Sequence, residues 1–248
     1  MTGSGDGSSS GEDSADADEQ APGERTCLDD WTDDGSDLRA GVDEAGKGPV
    51  LGSMFAACVV ADPTDLPDDV DDSKDLSAER REELATVIRD RAHAVAVSEI
   101  SVERIDDPET DMNTLTVAAH AEALEPVASD GLTAYLDAGD TNAVRFERRV
   151  ADRVEADLDL RAEHGADASY LIVGAASIIA KVERDAHVAE LAAEYGDLGS
   201  GYPGDSTTRG FLEDYIAEHG ELPACARESW QTSRDVRNAA GQAALDDF

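Results

Sequence analysis

The chain has 248 residues, 40% of them hydrophobic, which is enough to bury one substantial core and is expected to form one domain. Its 57 acidic residues against 20 basic ones give a formal charge of −37, a balance that ordinarily repels nucleic acid and favours basic partners. No apolar run approaches the roughly 18 residues of a membrane span, and the N-terminus is acidic rather than a basic signal sequence, so a cytoplasmic protein is expected.

Residues 1–37 are rich in Gly, Ser and acid, with twelve acidic residues against one basic residue, Arg25. Such a segment cannot offset its ordering entropy and is expected to be disordered. Leu38 to Ala45 and Leu51 to Val60 read as strands joined across Gly46–Gly52. Ser77 to Ala94 reads as a helix capped by Ser77, and Ala94 to Ile100 alternates as a third strand. Met112 opens a helix running to about Ala128. Thr133 to Ala138 is a short strand with Ala134 and Leu136 on one face, Tyr135 and Asp137 on the other. A helix over Phe146–Ala156, a brief strand over Tyr170–Val173 and a strongly patterned helix over Ser177–Tyr195 follow. After a loop from Gly196 to Arg209 comes a helix over Gly210–Glu218, and residues 238–248 are expected to form a flexible tail. Strands first in hairpins and then separated by helices indicate an α/β fold, a mixed sheet with helices packed against it.

The acidity is not confined to the first 37 residues. Removing their −11 leaves about −26 on residues 38–248. The acid is spread through helices and loops, alanines fill many apolar positions, and aromatics are only 4%. This composition resembles that of proteins from extreme halophiles. In multimolar salt the Debye length is about 3 Å or less, so net charge does not exclude a polyanionic substrate.

Cys27, Cys58 and Cys225 are isolated and without CxxC spacing, which fits a reducing compartment and excludes a cysteine zinc site. The five histidines form no HxxxH or HExxH pattern. Carboxylates remain. Asp43 and Glu44 stand at a strand end, just before Gly46-Lys47-Gly48. Adjacent strand residues point to opposite faces, so both reach one site only near a bend, which the glycines supply. Asp137 ends its strand and reads equally as a metal ligand or as a turn aspartate. Asp185 falls on the apolar stripe Ile178, Val182, Ala189, Ala192 and is expected to face the core, where an unpaired carboxylate is costly. An ion pair to arginine is the alternative.

Four carboxylates without histidine or cysteine suit Mg²⁺ or Mn²⁺. Only three lysines occur, Lys47, Lys74 and Lys181, each in a segment singled out on other grounds. Gly46, Lys47 and Gly48 offer backbone amides and a cation, Ser73 and Lys74 before a helix start are placed to hold a phosphate, and Tyr202 lies in a loop where it can stack on a sugar or base. The GxxxxGK spacing of Gly41–Lys47 also suggests a nucleotide-phosphate loop. Gly48 follows where Ser or Thr is needed to hold Mg²⁺, which disfavours that reading.

Together, Gly41-Val42-Asp43-Glu44-Ala45-Gly46-Lys47-Gly48-Pro49, Asp72-Ser73-Lys74, Leu136-Asp137-Ala138, Ala176 to Asp185, Ser200-Gly201-Tyr202-Pro203 and Glu228-Ser229-Trp230 resemble ribonuclease HII, the archaeal form more than the bacterial one. The resemblance spans roughly Arg39 to Trp230. It implies a ribonuclease H-like mixed sheet flanked by helices, with a helical C-terminal part, in a catalytic domain over residues 38–237. It implies hydrolysis of RNA in RNA–DNA hybrids and incision 5′ to ribonucleotides embedded in duplex DNA, by metal-activated water, leaving 5′-phosphate and 3′-hydroxyl ends. Asp43, Glu44, Asp137 and Asp185 would be catalytic and bind Mg²⁺ or Mn²⁺, two ions in the substrate complex. Gly46, Lys47 and Gly48 would read the 2′-hydroxyl, and Tyr202 would pack on the neighbouring deoxyribose. Lys47 stands where many relatives carry arginine. The chain would act as a monomer, with a replication sliding clamp as a further partner. A non-catalytic binding module of the same fold is the rival reading, and it predicts a missing carboxylate.

Overall fold

A computed structural model describes residues 38–72 and 76–246 of the chain. Ser73, Lys74 and the first 37 residues, about which the sequence makes definite expectations, lie outside the described residues. Five strands form one mixed sheet: β1 (Arg39–Ala45), β2 (Met54–Ala61), β3 (Ala94–Ile100), β4 (Thr133–Asp137) and β5 (Asp159–Glu163). Their order is β3-β2-β1-β4-β5. The first three pair antiparallel as a meander, and β4 and β5 add parallel to β1. The described helices are α1 (Ala78–Arg91), α2 (Val102–Ile105), α3 (Met112–Leu124), α4 (Ala143–Ala151), α5 (Leu171–Tyr195), α6 (Ser206–His219) and α7 (Gln231–Asp246).

The period-2 alternation of the strands divides the core into two layers. Ala40, Val42, Ala56, Cys58, Ala134 and Leu136 pack with α3 and α4 on one face. Ala57, Val59 and Tyr135 pack with α1 and α5 on the other. Gly41 faces α5, and any Cβ there would be driven into the Ile172 carbonyl and lie 2.6 Å from Val173 N. The central strand and α5 therefore meet backbone to backbone, which only glycine permits. A third cluster, Val50, Leu51, Leu198, Leu212, Ile216 and Val236, joins α6 and α7 to the turn after β1.

Several boundaries differ from the sequence reading, each for a local reason. Tyr170–Val173 is the entry to α5 and not a strand; Leu171–Ala180 is almost wholly apolar, and such a run has no period to separate buried strand from buried helix. The edge strand β5, Asp-Leu-Arg-Ala-Glu, escapes notice because charged residues protect its exposed side. Asn142 caps α4 through Arg145 N at 2.9 Å and moves that helix earlier than Phe146. Asp205 caps α6, which begins at Ser206 and not at Gly210. Helix α7 continues to Asp246, past Asn238 where regular structure was expected to end. No described helix is long and apolar enough to cross a membrane.

Candidate active site

The register of β1 with β4 pairs Val42 with Leu136, so Asp43 and Asp137 follow at the C-terminal ends of neighbouring parallel strands. Both belong to the face covered by α5. There Ser177 of α5 hydrogen-bonds to the Asp43 carboxylate, and Lys181, one turn on, donates to Ser177 Oγ at 2.6 Å. Asp137 accepts from the N–H groups of Gly165 and Ala166, at 2.8 and 3.1 Å.

Glu44, one residue on, leaves β1 toward the opposite face. Its Oε2 meets His120 Nε2 of α3 at 2.8 Å. Its Oε1 lies against Gly139, where a Cβ would sit 3.1 Å from it and 2.5 Å from Thr116 Cγ2. Lys47 Nζ donates to the Gly139 carbonyl beside it. Asp43 and Glu44 thus straddle the end of the sheet, each fixed by a helix on its own side.

Their electrostatics diverge. Burial pushes the Asp43 carboxyl well above the usual carboxylate range, and the charges of Glu44 and Asp137 add to this; Ser177 and the Glu44 N–H oppose it. For Glu44 burial also acts upward, but the His120 hydrogen bond and the Lys47 charge bring its pKa below the usual value. Among the described residues no three His, Cys, Asp or Glu side chains are already arranged to hold an ion. The donors are nevertheless of one kind, carboxylate oxygens that repel one another, and they suit a hard divalent cation.

The turn after β1 is fixed by the C-terminal part of the chain. Gly46 has φ 87°, the left-handed region that favours glycine. Arg227 is fully buried and donates to the carbonyls of Gly46 (2.6 Å), Lys47 (3.1 Å) and Gly52 (2.8 Å). Burial, with Arg184 nearby, pushes its pKa down to about 9. Its guanidinium lies 4.8 Å from the Trp230 ring centroid, and Trp230 Nε1 donates to the Gly48 carbonyl at 3.2 Å. Gly201 accepts from Val50 N at 2.8 Å. This brings Tyr202, half exposed, to Gly48, where a Cβ would lie 3.7 Å from its ring.

Asp185 stands apart from this cluster. Its side chain is 48% exposed and pairs with Arg81 at 2.7 Å, so the expectation of a core-facing carboxylate does not hold. It lies eight residues beyond Ser177, about 12 Å along the helix. The inward position on that turn belongs to Arg184, which is buried and donates to the Leu51 carbonyl at 3.1 Å.

Three residues escaped the sequence reading. His120 and Arg227 gave no local signal, because their partners are 76 and 181 residues away. Asp167 is 94% buried and follows directly on Gly165 and Ala166, whose N–H groups hold Asp137. Its one sequence cue was an acid set just before a long apolar run.

A mixed sheet of this order, with carboxylates at the ends of adjacent parallel strands and helices on both faces, defines a ribonuclease H-like hydrolase. The family model for Ribonuclease HII matches residues 40–233. The Ribonuclease HII of Haloarcula marismortui is 68% identical over 211 residues, covering 85% of this chain and 100% of that protein. That of Halobacterium salinarum is 65% identical, covering 85% and 99%. Among solved structures, ribonuclease H2 of Pyrococcus horikoshii matches with a TM-score of 0.77 and 34% identity, covering 83% of this chain and 99% of that one. The ribonuclease HII of Archaeoglobus fulgidus, solved in complex with PCNA, matches with a TM-score of 0.71 and 38% identity, covering 85% and 100%. The chain belongs to the ribonuclease HII family and is a ribonuclease H endonuclease, acting on RNA in hybrids.

Proposed function

We propose that this enzyme hydrolyses the RNA strand of RNA–DNA hybrids and also incises duplex DNA 5′ to single embedded ribonucleotides, leaving 5′-phosphate and 3′-hydroxyl ends. Mg²⁺ or Mn²⁺, two ions in the substrate complex, would supply the activated water and the charge that offsets the leaving oxygen. Asp43, Glu44 and Asp137 are the carboxylates that hold them. The fourth is Asp167 in place of Asp185, whose carboxylate is committed to Arg81. Lys181 and Ser177 fix the Asp43 oxygens and keep them turned to the sheet end.

Gly46, Lys47 and Gly48 meet the ribose. The 2′-hydroxyl is the one group separating RNA from DNA at such a site, and a turn whose carbonyls are already bound by Arg227 presents its N–H groups without rearranging. Tyr202, beside Gly48, packs on the adjoining deoxyribose, and Ser73 and Lys74 contact a phosphate. The Archaeoglobus fulgidus relative's complex with PCNA supports a sliding-clamp contact here as well.

The observation that carries this reading is the placement of Asp43 and Asp137 at adjacent strand ends beside the Arg227-bound turn. Its test is a duplex DNA bearing one ribonucleotide, incubated with and without Mg²⁺ or Mn²⁺ in molar KCl, with the product ends identified by ligation. One metal-dependent cut 5′ to the ribonucleotide is expected. Cleavage restricted to runs of ribonucleotides would overturn the single-ribonucleotide assignment.

A further inference from the structure

Glu44 leaves the sheet on the face opposite Asp43 and Asp137, so something must bring its carboxylate back to their end of the sheet. That group is His120. Its ring is fully buried on α3 and set edge-on to Phe146, with centroids 5.0 Å apart and planes at 87°. Nε2 lies 2.8 Å from Glu44 Oε2, whereas Nδ1 is buried without a partner. With Nε2 protonated and Nδ1 bare, no N–H is left unpaired in the core; the ring then donates to the carboxylate. The other inward residues of α3, Val117, Ala121 and Leu124 among them, are apolar except Thr116, whose hydroxyl donates to the Met112 carbonyl. An apolar side chain would fill this position without the desolvation cost of an imidazole.

We infer that His120 is a positioning residue: it occupies Glu44 Oε2, fixes the rotation of the carboxylate, and leaves Oε1, on the Gly139 side, to the metal. The inference rests on the carboxylate–metal reading above. Hydrogen-bond partners of metal-binding carboxylates commonly contribute about 10–100-fold to metal affinity.

The test is Mn²⁺ binding to the full, substrate-free chain in molar KCl, followed by calorimetry and by the spin resonance of free Mn²⁺, with thermal unfolding of each metal-free variant alongside. His120→Leu is expected to bind Mn²⁺ about 10–100-fold more weakly. His120→Gln, whose amide N–H can reach Glu44, should stay within about threefold of the parent, and the shorter His120→Asn should follow the Leu variant. Parent-like binding by His120→Leu overturns the positioning role, as does equal loss in the Gln and Leu variants, which would mark a packing effect. The Gln–Asn pair keeps the test decisive if the Leu variant does not fold. Asp43→Asn separates the two readings. Weakened binding there with His120→Leu unchanged defeats the positioning role alone; parent-like binding by Asp43→Asn defeats the carboxylate site itself.

Discussion

Arg227 Nη2 donates to the Gly46 carbonyl at 2.6 Å across 181 residues of sequence, from a side chain with no exposure to solvent. The C-terminal part of the chain thereby sets the backbone of the turn beside Asp43 and Glu44. Replacing Arg227 with Met should leave the carbonyls of Gly46, Lys47 and Gly52 without this donor. Denaturant unfolding in molar KCl is expected to show a loss of about 3 kcal/mol or more. Lys should rescue little, since one ammonium cannot reproduce a planar fork.

Asp43→Asn should lower cleavage by roughly three orders of magnitude or more while making the metal-free protein more stable than the parent at neutral pH. The sign follows from the raised pKa of Asp43: the folded state binds a proton that the unfolded state has already released. Its destabilising charge is therefore present above the folded pKa and relieved as pH falls through it. The stability gap between variant and parent should close on acidification, as thermal unfolding at stepped pH would show.

Gly139→Ala forces a Cβ to within 2.5 Å of the buried Thr116 and 3.1 Å of Glu44 Oε1. Overpacking of this kind costs about 1–3 kcal/mol, and the displaced carboxylate should cost activity too. Unfolding and cleavage measured together would reveal both losses. An active, fully stable variant would show that the site tolerates movement of Glu44.

Asp167→Asn and Asp185→Asn should separate. The first is expected to lose cleavage by about 100-fold or more, and the second to stay within about threefold, because its partner Arg81 is an exposed-side ion pair. Steady-state cleavage of one hybrid substrate decides between them, and the reverse order would return the fourth carboxylate to Asp185.

Asp205 receives hydrogen bonds from Ser200 N and Oγ and from Thr207 N, which hold its pKa at about 2. A depressed carboxylate stabilises above its unfolded pKa of about 3.9, and that contribution is lost as pH falls toward the folded value. Asp205→Ala should be less stable than the parent by a constant margin above pH 4, with the margin closing toward pH 2. Parallel thermal melts would test this.

Much of the candidate site was legible along the chain because its signals are local. Asp43 and Glu44 precede a glycine turn, Asp137 ends an alternating strand, and Ser77 caps α1 as its sequence position suggests. Asp185 misled because the apolar stripe of α5 was extended past the sheet. Core burial runs to Ala180 and returns only at Arg184, so periodicity beyond that point no longer reports burial. Asp167 sits on a short 3-10 turn with no period to read.

By itself the sequence determined the family, most of the strands and helices though not β5 or the entry to α5, and the carboxylate side-chain types, since side-chain type and spacing are properties of the chain. Only the tertiary structure decided which acids meet. Parallel pairing of β1 with β4 sets Asp43 beside Asp137, the pleat sends Glu44 to the face where His120 waits, and Arg227 closes the turn from the far end of the sequence. These contacts join residues between 76 and 181 positions apart, and nothing local encodes a partner that arrives only when the sheet and its helices pack.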